Sequence, residues 1–348
     1  MSDNRVAVVV VTWNSAAVVG ALLDSLPEGL AGTDWHLLVA DNDSADDTVK
    51  VVEAWLGDRE PAGQGCVVQT GSNAGYSAAI NLALQHGETL PGEPFSAVLI
   101  LNPDIRLEPG CAARLLAPLQ PDRQLAQPVS ANPPEPSDRA GSPVPEVLAE
   151  KAQDANVRVG ITVPRMHDES GRLSHSLRRE PTVLRALGEA VLGGRAGRYP
   201  RFGEVVLDEA DYRAPTVADW ATGAIMMMSA ACRTACGPWD ESFFLYSEET
   251  EFALRARDRG FTTRLVPEAV AVHLGGESGV SARLWTLLTV NRVRLYRRRR
   301  GLPAAAAYWG VTLLREIPRA ALGKKRSRSA VAALLRPSRL RHPDAGMH

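Results

Sequence analysis

Ala97-Val98-Leu99-Ile100-Leu101 runs straight into Asn102-Pro103-Asp104. A continuous aliphatic run bounded by Pro94 and Pro103 reads as a strand buried on both faces, as in a parallel sheet. Asp104 then stands just past its carboxyl end. In open α/β sheets that edge receives ligands, so a carboxylate there is placed to hold a metal ion against a phosphorylated substrate. Asn, Pro and Asp also favour turns, which is the plain alternative for this tripeptide.

Working outward, Val6 to Val11 forms a first buried strand, and Ala16 to Leu26 carries helical apolar spacing behind a cap at Asn14 or Ser15. His36 to Ala40 is a second strand ending in Asp41-Asn42-Asp43-Ser44, followed by a helix from about Asp46 to Leu56 with acids in its first turn. Cys66 to Gln69 is a third strand, running into Thr70-Gly71-Ser72-Asn73-Ala74-Gly75 and a helix over Tyr76 to Gln85. Strand and helix alternate up to Ala97, the pattern of right-handed parallel crossovers. Residues 120–155 are rich in Pro, Ser and Ala and read as an insertion or long surface loop. Val157 to Val163, a strand or strand pair over Trp220 to Ser229, a helix within Phe243 to Gly260, and closing strands at Thr263 to Val266 and Ala269 to His273 complete the α/β part. Beyond Ser281 the chain reads as helical and basic.

At 348 residues the chain can bury a large core, and its formal charge of -1 argues against a nucleic-acid-binding protein. Cys66, Cys111, Cys232 and Cys236 form neither a CxxC pair nor a disulfide scaffold, which favours a reducing, cytoplasmic setting. No apolar run reaches the length of a spanning helix or carries a signal-peptide pattern.

Four polar tips, Thr12-Trp13-Asn14, Asp41-Asn42-Asp43, Ser72-Asn73-Ala74-Gly75 and Asn102-Pro103-Asp104, gather on one edge of a parallel sheet. A nucleotide suits that crevice: Asp41 for a base or ribose hydroxyl, Gly75 for close backbone approach, and Asp104 for a metal bridging a diphosphate. No GxGxxG follows the first strand, which argues against a nicotinamide enzyme. Glu248, Glu249 and Glu251 follow Phe243-Phe244-Leu245-Tyr246, so a carboxylate near aromatic residues has a route to the raised pKa of a general base. A solvated, dipole-stabilised helix start explains the same glutamates. His273 ends Val270-Ala271-Val272 ahead of Leu274-Gly275-Gly276, where an imidazole can join a carboxylate on a metal.

The ordered segments VVVVTWN, LLVADNDS, GSNAGYSAAIN, LILNPDI, WATGA, GPWDESFFLYSEETEFALRARDRG and VHLGGESG resemble the inverting family 2 glycosyltransferases of the GT-A fold, and most of all their bacterial rhamnosyltransferase branch. The resemblance covers roughly residues 5 to 280. It implies a GT-A domain over 1–280, an α/β fold with a mostly parallel central sheet, and a helical C-terminal extension over 281–348. It implies donor contacts from Thr12, Asn14, Asp41, Asn73, Gly75, Asn102 and Asp104, a metal (Mg2+ or Mn2+) on Asp104 and His273, and Glu249 as the base. Trp220, Gly223 and Glu248 would line the acceptor side. The implied reaction moves a sugar, rhamnose from dTDP-rhamnose or another from a UDP-sugar, to a glycan or polyprenyl-diphosphate-linked acceptor in cell-envelope polysaccharide synthesis. Two departures stand out. Asn102 replaces the first acid of the DXD element, so the metal would lean on the donor diphosphate and His273. Glu248-Glu249 replaces a Glu-Asp pair, an extra methylene of ~1.5 Å at the second acid. These departures leave room for a second reading, an inactive nucleotide-sugar binding or scaffold protein; a nucleotidyltransferase is disfavoured by the lack of a glycine-rich phosphate loop.

The run Arg297-Arg298-Arg299-Arg300, with Lys324, Lys325, Arg326 and Arg328 and the aromatics Tyr308 and Trp309 between them, fits an interfacial helix on an anionic leaflet. A solvated face is the plainer explanation of such a run.

Overall fold

The computed structural model describes residues 5–58, 65–120, 158–274, 281–336, 338 and 340. In chain order its elements begin β1 (Arg5–Thr12), α1 (Ala16–Gly29), β2 (Asp34–Asp41), α2 (Thr48–Gly57), β3 (Gly65–Gln69), α3 (Tyr76–Gly87), β4 (Ala97–Leu101), β5 (Ile105–Leu107) and α4 (Cys111–Leu116). After the Pro-rich segment come β6 (Arg158–Asp168), β7 (Leu173–Ser174), β8 (Leu177–Arg178), α5 (Val183–Leu192), β9 (Thr216–Ala218), β10 (Trp220–Ala221) and β11 (Ile225–Ser229). The chain continues through α6 (Ala230–Cys236), α7 (Glu248–Asp258), β12 (Phe261–His273), α8 (Ala282–Ala321) and α9 (Lys325–Leu334). Most of the expected Pro-rich segment, and the tail beyond Arg336 apart from two positions, lie outside the described residues.

The main sheet runs β3-β2-β1-β4-β11-β6-β12-β5. Its first four strands are parallel, as the alternating pattern predicts. Beyond β4 the sheet is mixed: β11 pairs antiparallel with both β4 and β6, while β12 is parallel to β6 and antiparallel to β5 and β9. Period-2 alternation sorts each strand onto two cores. Val6, Val8, Val10, Leu99 and Leu101 pack with the α1 and α4 side. Ala7, Val9, Val11, Val98 and Ile100 pack with α3, α6 and α7. Both faces are covered, which is why β4 reads as an unbroken apolar run.

Local differences from the sequence reading have physical causes. The second helix starts at Thr48, so Asp46 and Asp47 precede its first turn; Asp46 instead accepts hydrogen bonds from the Thr48 and Ala16 amides at 3.0 and 3.1 Å. Asn14 does not cap α1: it takes φ 50° and accepts from the Ala45 amide at 2.8 Å, while Ser15 holds the cap position without a side-chain cap bond. The helix within Phe243 to Gly260 begins only at Glu248. The two expected closing strands are one, β12, with a register shift between Val266 and Val270. Trp220 to Ser229 divides at Thr222-Gly223-Ala224, β10 pairing with β8 in a separate ribbon and β11 joining the main sheet.

In the C-terminal region, Gly301 takes φ 74° within α8 and the helix turns back on itself. Tyr296 stacks on Tyr308 at 4.3 Å, and the Trp285 indole donates to Glu316 across the hairpin at 3.1 Å. The aromatics expected on an interfacial face therefore point inward, Trp309 donating to the Leu334 carbonyl at 3.0 Å. Arg298, Arg299 and Arg300 pair with Asp240, Asp258 and Glu180 of the α/β part. Most of the arginine run is a clasp onto the α/β part. No helix among the described residues is long and apolar enough to cross a membrane, and all four cysteines are unpaired.

Candidate active site

The parallel strands align their tips. Thr12 lies opposite Asp41, and Asp41 opposite Gln69, so the loops after β1, β2 and β3 open side by side. Backbone bonds tie them together: the Asn42 amide donates to the Thr12 carbonyl at 2.8 Å and the Thr70 amide to the Asp41 carbonyl at 3.1 Å. Asp41 is almost fully buried and accepts from the Thr12 hydroxyl at 2.7 Å, the Ser44 hydroxyl at 2.6 Å and the Ser44 amide at 2.9 Å. Thr12 and Asp41 thus shape the crevice floor. Asn73 is half-buried on the neighbouring turn, and Asn42 beside it keeps a buried Oδ1 without a hydrogen-bond partner.

Gly75 has φ 94°, and a Cβ there would lie 2.5 Å from the Phe244 carbonyl oxygen. The close approach that this glycine permits is therefore to the Phe243–Tyr246 segment. The Tyr76 amide seals it by donating to the same carbonyl at 2.8 Å.

Asp104 is brought to His273 by β5, a three-residue strand that sequence periodicity cannot reveal. Because Ile105 pairs with His273 in the antiparallel ladder, the residue just before Ile105 lies beside the end of β12. The Leu274 amide donates to the Asp104 carbonyl at 2.8 Å, and Asp104 Oδ2 stands 3.2 Å from His273 Nε2. Asp104 Oδ1 is buried with no hydrogen-bond partner. The oxygen of Asn102, by contrast, accepts from the Tyr76 hydroxyl at 2.9 Å. A carboxylate with one oxygen beside an imidazole and the other unengaged fits a divalent cation that would take its other ligands from diphosphate and water. No group of three or more His, Cys, Asp or Glu side chains suited to a metal occurs among the described residues. Gly275 and Gly276 lie outside them.

Glu248 and Glu249 open α7 behind two consecutive left-handed residues, Tyr246 at φ 67° and Ser247 at φ 77°. Such backbone costs on the order of 1–3 kcal/mol per residue and persists only where neighbours hold it. Asn291, fully buried on α8, is the holder: its Nδ2 donates to the Leu245 and Tyr246 carbonyls at 3.0 and 3.2 Å. Arg294 extends the grip to the Ser242 carbonyl at 3.1 Å.

The two glutamates differ in setting. Glu248 is 4% exposed, and burial, reinforced by the neighbouring Glu249 charge, pushes its pKa well above the ordinary range. Glu249 is half-buried; burial raises its pKa too, opposed by backbone amides at the helix start and by the Arg178 charge. Each keeps a buried Oε2 without a hydrogen-bond partner. Burial disfavours two charges side by side here, and Glu249 is the more exposed of the pair. The charges of both glutamates and of Asp104 reach Tyr76: burial pushes its phenol well up, and Glu248, Glu249 and Asp104 push it further, so it stays a neutral donor.

Gly223 lines Glu249 closely. A Cβ there would stand 3.1 Å from Glu249 Cβ and 3.4 Å from Cγ, so the bare glycine makes room for the glutamate stem. Gly223→Ala is expected to displace the carboxylate and lower kcat by about 10- to 100-fold, leaving donor affinity unchanged; wild-type kcat would show that the stem tolerates the methyl. Trp220 is buried, its indole N–H donating to the Arg179 carbonyl at 3.1 Å and its ring 5.9 Å from the Arg178 guanidinium. It belongs to the core cluster that includes Phe252 and Ala253 of α7, and its indole N–H is already engaged.

Tyr76, Asn291 and Arg178 were not singled out by sequence reasoning. Tyr76 falls inside a motif read for its glycine. Asn291 carried a usable signal, a polar residue with Leu287 and Leu295 four positions to either side of it on an apolar helix face.

Residues 7–162 match the family model described as Glycosyl transferase family 2. A curated relative from Mycobacterium tuberculosis, an N-acetylglucosaminyl-diphospho-decaprenol L-rhamnosyltransferase, is 26% identical over 243 residues, 68% of this chain and 66% of that protein. Among solved structures, a mannosyltransferase from Pyrobaculum calidifontis in complex with GDP-Man and Mn2+ is similar over 99% of this chain and 84% of its own, with TM-score 0.52 and 15% identity. GalNAc-T7 with UDP, GalNAc and Mn2+ is similar over 84% of this chain and 48% of its own, with TM-score 0.51 and 14% identity. The chain therefore has the GT-A fold of these transferases, and its residues 7–162 are similar to glycosyl transferase family 2.

Proposed function

We propose that this protein is an inverting glycosyltransferase that moves a sugar from a nucleotide diphosphate donor to a hydroxyl of a lipid-linked glycan acceptor. Rhamnose is the sugar favoured by the curated relative, whose name specifies an L-rhamnosyl group and a diphospho-decaprenol carrier, and dTDP-rhamnose is the donor the sequence resemblance implies. The observation that carries the reading is a pair of acids that each keep one buried oxygen unengaged: Asp104, whose Oδ2 faces His273 at 3.2 Å while Oδ1 is without a partner, and Glu249 at the start of α7, whose Oε2 is without one.

Glu249 takes the proton of the acceptor hydroxyl as its oxygen bonds to the sugar C1 from the face opposite the diphosphate, and the bond from C1 to the diphosphate oxygen breaks. Asp104 and His273 would hold a divalent cation, Mg2+ or Mn2+, whose charge stabilises the departing diphosphate. Tyr76 keeps Asn102 turned away from competing with Asp104, and the Thr12–Asp41–Ser44 bonds hold the crevice floor for the nucleoside. Glu248, neutral and buried, faces the acceptor side without adding a second charge beside the base.

The test is a thermal-shift panel of dTDP-, UDP- and GDP-sugars with Mg2+ or Mn2+, followed by nucleoside diphosphate release with acceptor present. A donor at about 100 times its Kd adds roughly 2.7 kcal/mol. A donor that raises Tm yet releases no nucleoside diphosphate with any acceptor leaves a binding or scaffold protein; no shift with any donor refutes the nucleotide crevice.

A further inference from the structure

The segment that leaves the acceptor wall at Arg178 carries an unusual helix. In α5, Leu184, Leu187, Val191 and Leu192 fall within an arc of about 140° at 100° per residue, and all four are exposed, Val191 at 71%. The opposite side, with Val183 and Ala186, packs on the C-terminal hairpin. The helix therefore turns its larger apolar side chains outward, the reverse of a surface helix that feeds a core. Gly188 lies within the outward arc, and Phe202 from the following turn covers it: a Cβ at Gly188 would be 2.6 Å from Phe202 Cβ. Phe202 is itself 40% exposed and Tyr199 beside it 54%. The stripe is thus continuous across the two segments, and Arg185 fastens them by donating to the Pro200 carbonyl at 3.0 Å.

The rim of this stripe is basic. Arg195, Arg198 and Arg201 are exposed and make no ion pair among the described residues. Glu189, the sole acid between Val183 and Phe202, faces inward to Arg292 and Arg315 at 3.6 and 3.4 Å.

We propose that the Leu184–Phe202 face docks the protein on an anionic lipid bilayer, the aliphatic and aromatic side chains entering the headgroup boundary and Arg195, Arg198 and Arg201 meeting lipid phosphates. The charge chooses the occupant. A second copy of this chain would bring a like-charged arginine rim against this one, whereas anionic headgroups neutralise it; apolar stripes rimmed by arginine are what interfacial helices present to membranes. The face begins a few residues from Arg178, whose charge acts on Glu249, so docking would place the acceptor side next to the lipid surface. In its purpose the inference rests on the lipid-linked acceptor proposed above, but vesicle binding needs no donor or turnover, so either can fail without the other.

The experiment is co-sedimentation of the full chain with vesicles of phosphatidylglycerol and phosphatidylcholine in equal parts, against pure phosphatidylcholine, at low and high salt. The wild type is expected to sediment with the mixed vesicles and to be released by salt. R195E/R198E/R201E is expected to weaken partitioning at least ~100-fold, from roughly five-fold per basic side chain at such a surface. L184S/V191S should lower it on both vesicle types with circular dichroism and Tm unchanged, and if that variant misfolds, the arginine variant decides alone. Equal binding of the wild type and the arginine variant overturns the proposal. So does loss of binding confined to K324E/K325E, which would move the contact to the C-terminal helices. A wild-type dimer in light scattering that L184S/V191S dissolves, without vesicle binding, overturns it in favour of a contact between copies.

Discussion

Glu249→Gln is expected to reduce sugar transfer by about 10³-fold or more while leaving the donor-induced thermal shift intact. Glutamine keeps the volume and one oxygen of the side chain but cannot take a proton, and general-base catalysis is typically worth 10²–10⁴-fold. The local structure survives the change, because the strained Tyr246–Ser247 turn is held through backbone carbonyls by Asn291 and not by the Glu249 carboxylate. The pH dependence has a fixed sign. Burial raises the Glu249 pKa above the ordinary glutamate value of 4.5, and the base must be ionised, so wild-type kcat falls as pH drops through that raised value. The same acid limb should be missing from the residual rate of the glutamine variant. Full turnover by Glu249→Gln would remove the residue from the reaction.

Asp104→Ala should lower kcat/KM by a comparable factor through a different door. It removes the one carboxylate beside His273 with an oxygen free of hydrogen bonds, and Asn102 cannot readily take over while its oxygen accepts from Tyr76. The expected loss is about 10³-fold, roughly 4 kcal/mol of stabilisation of the leaving diphosphate. Donor binding separates the two variants: Mg2+ or Mn2+ should strengthen the donor thermal shift in the wild type and in Glu249→Gln, and should do so no longer in Asp104→Ala. EDTA should mimic the alanine on wild-type protein. Unchanged activity in EDTA would take the metal out of the mechanism.

The first half of the fold was legible because β1 and β4 are buried on both faces and read as nearly unbroken aliphatic runs, with Leu37-Leu38-Val39-Ala40 doing the same for the buried end of β2. The second half was harder for equally physical reasons. β5 has three residues, too few for any period to emerge, yet it is what sets Asp104 beside His273. The bend in β12 made one strand look like two. The arginine run could not be placed from sequence because charge in sequence does not say what it faces, and here Arg298, Arg299 and Arg300 face Asp240, Asp258 and Glu180. Asp104, Glu249 and His273 were marked by position at element ends. Tyr76 and Asn291 act through contacts made across 26 and 45 or more residues of chain, and no local pattern encodes those.

The hold of Asn291 on the Leu245 and Tyr246 carbonyls also sets an order of birth. During synthesis the sheet, both glutamates and the donor crevice leave the ribosome before α8 does. Until the first arm of α8 seats Asn291, the turn ahead of Glu248 has the Tyr76 amide on the Phe244 carbonyl but lacks the side-chain bonds to the Leu245 and Tyr246 carbonyls, next to the two left-handed residues. A nascent chain can therefore shape the proposed nucleotide crevice early, while the acid proposed as proton acceptor is aimed only once α8 has arrived, so competence is conferred late, by a segment far in sequence from the donor loops.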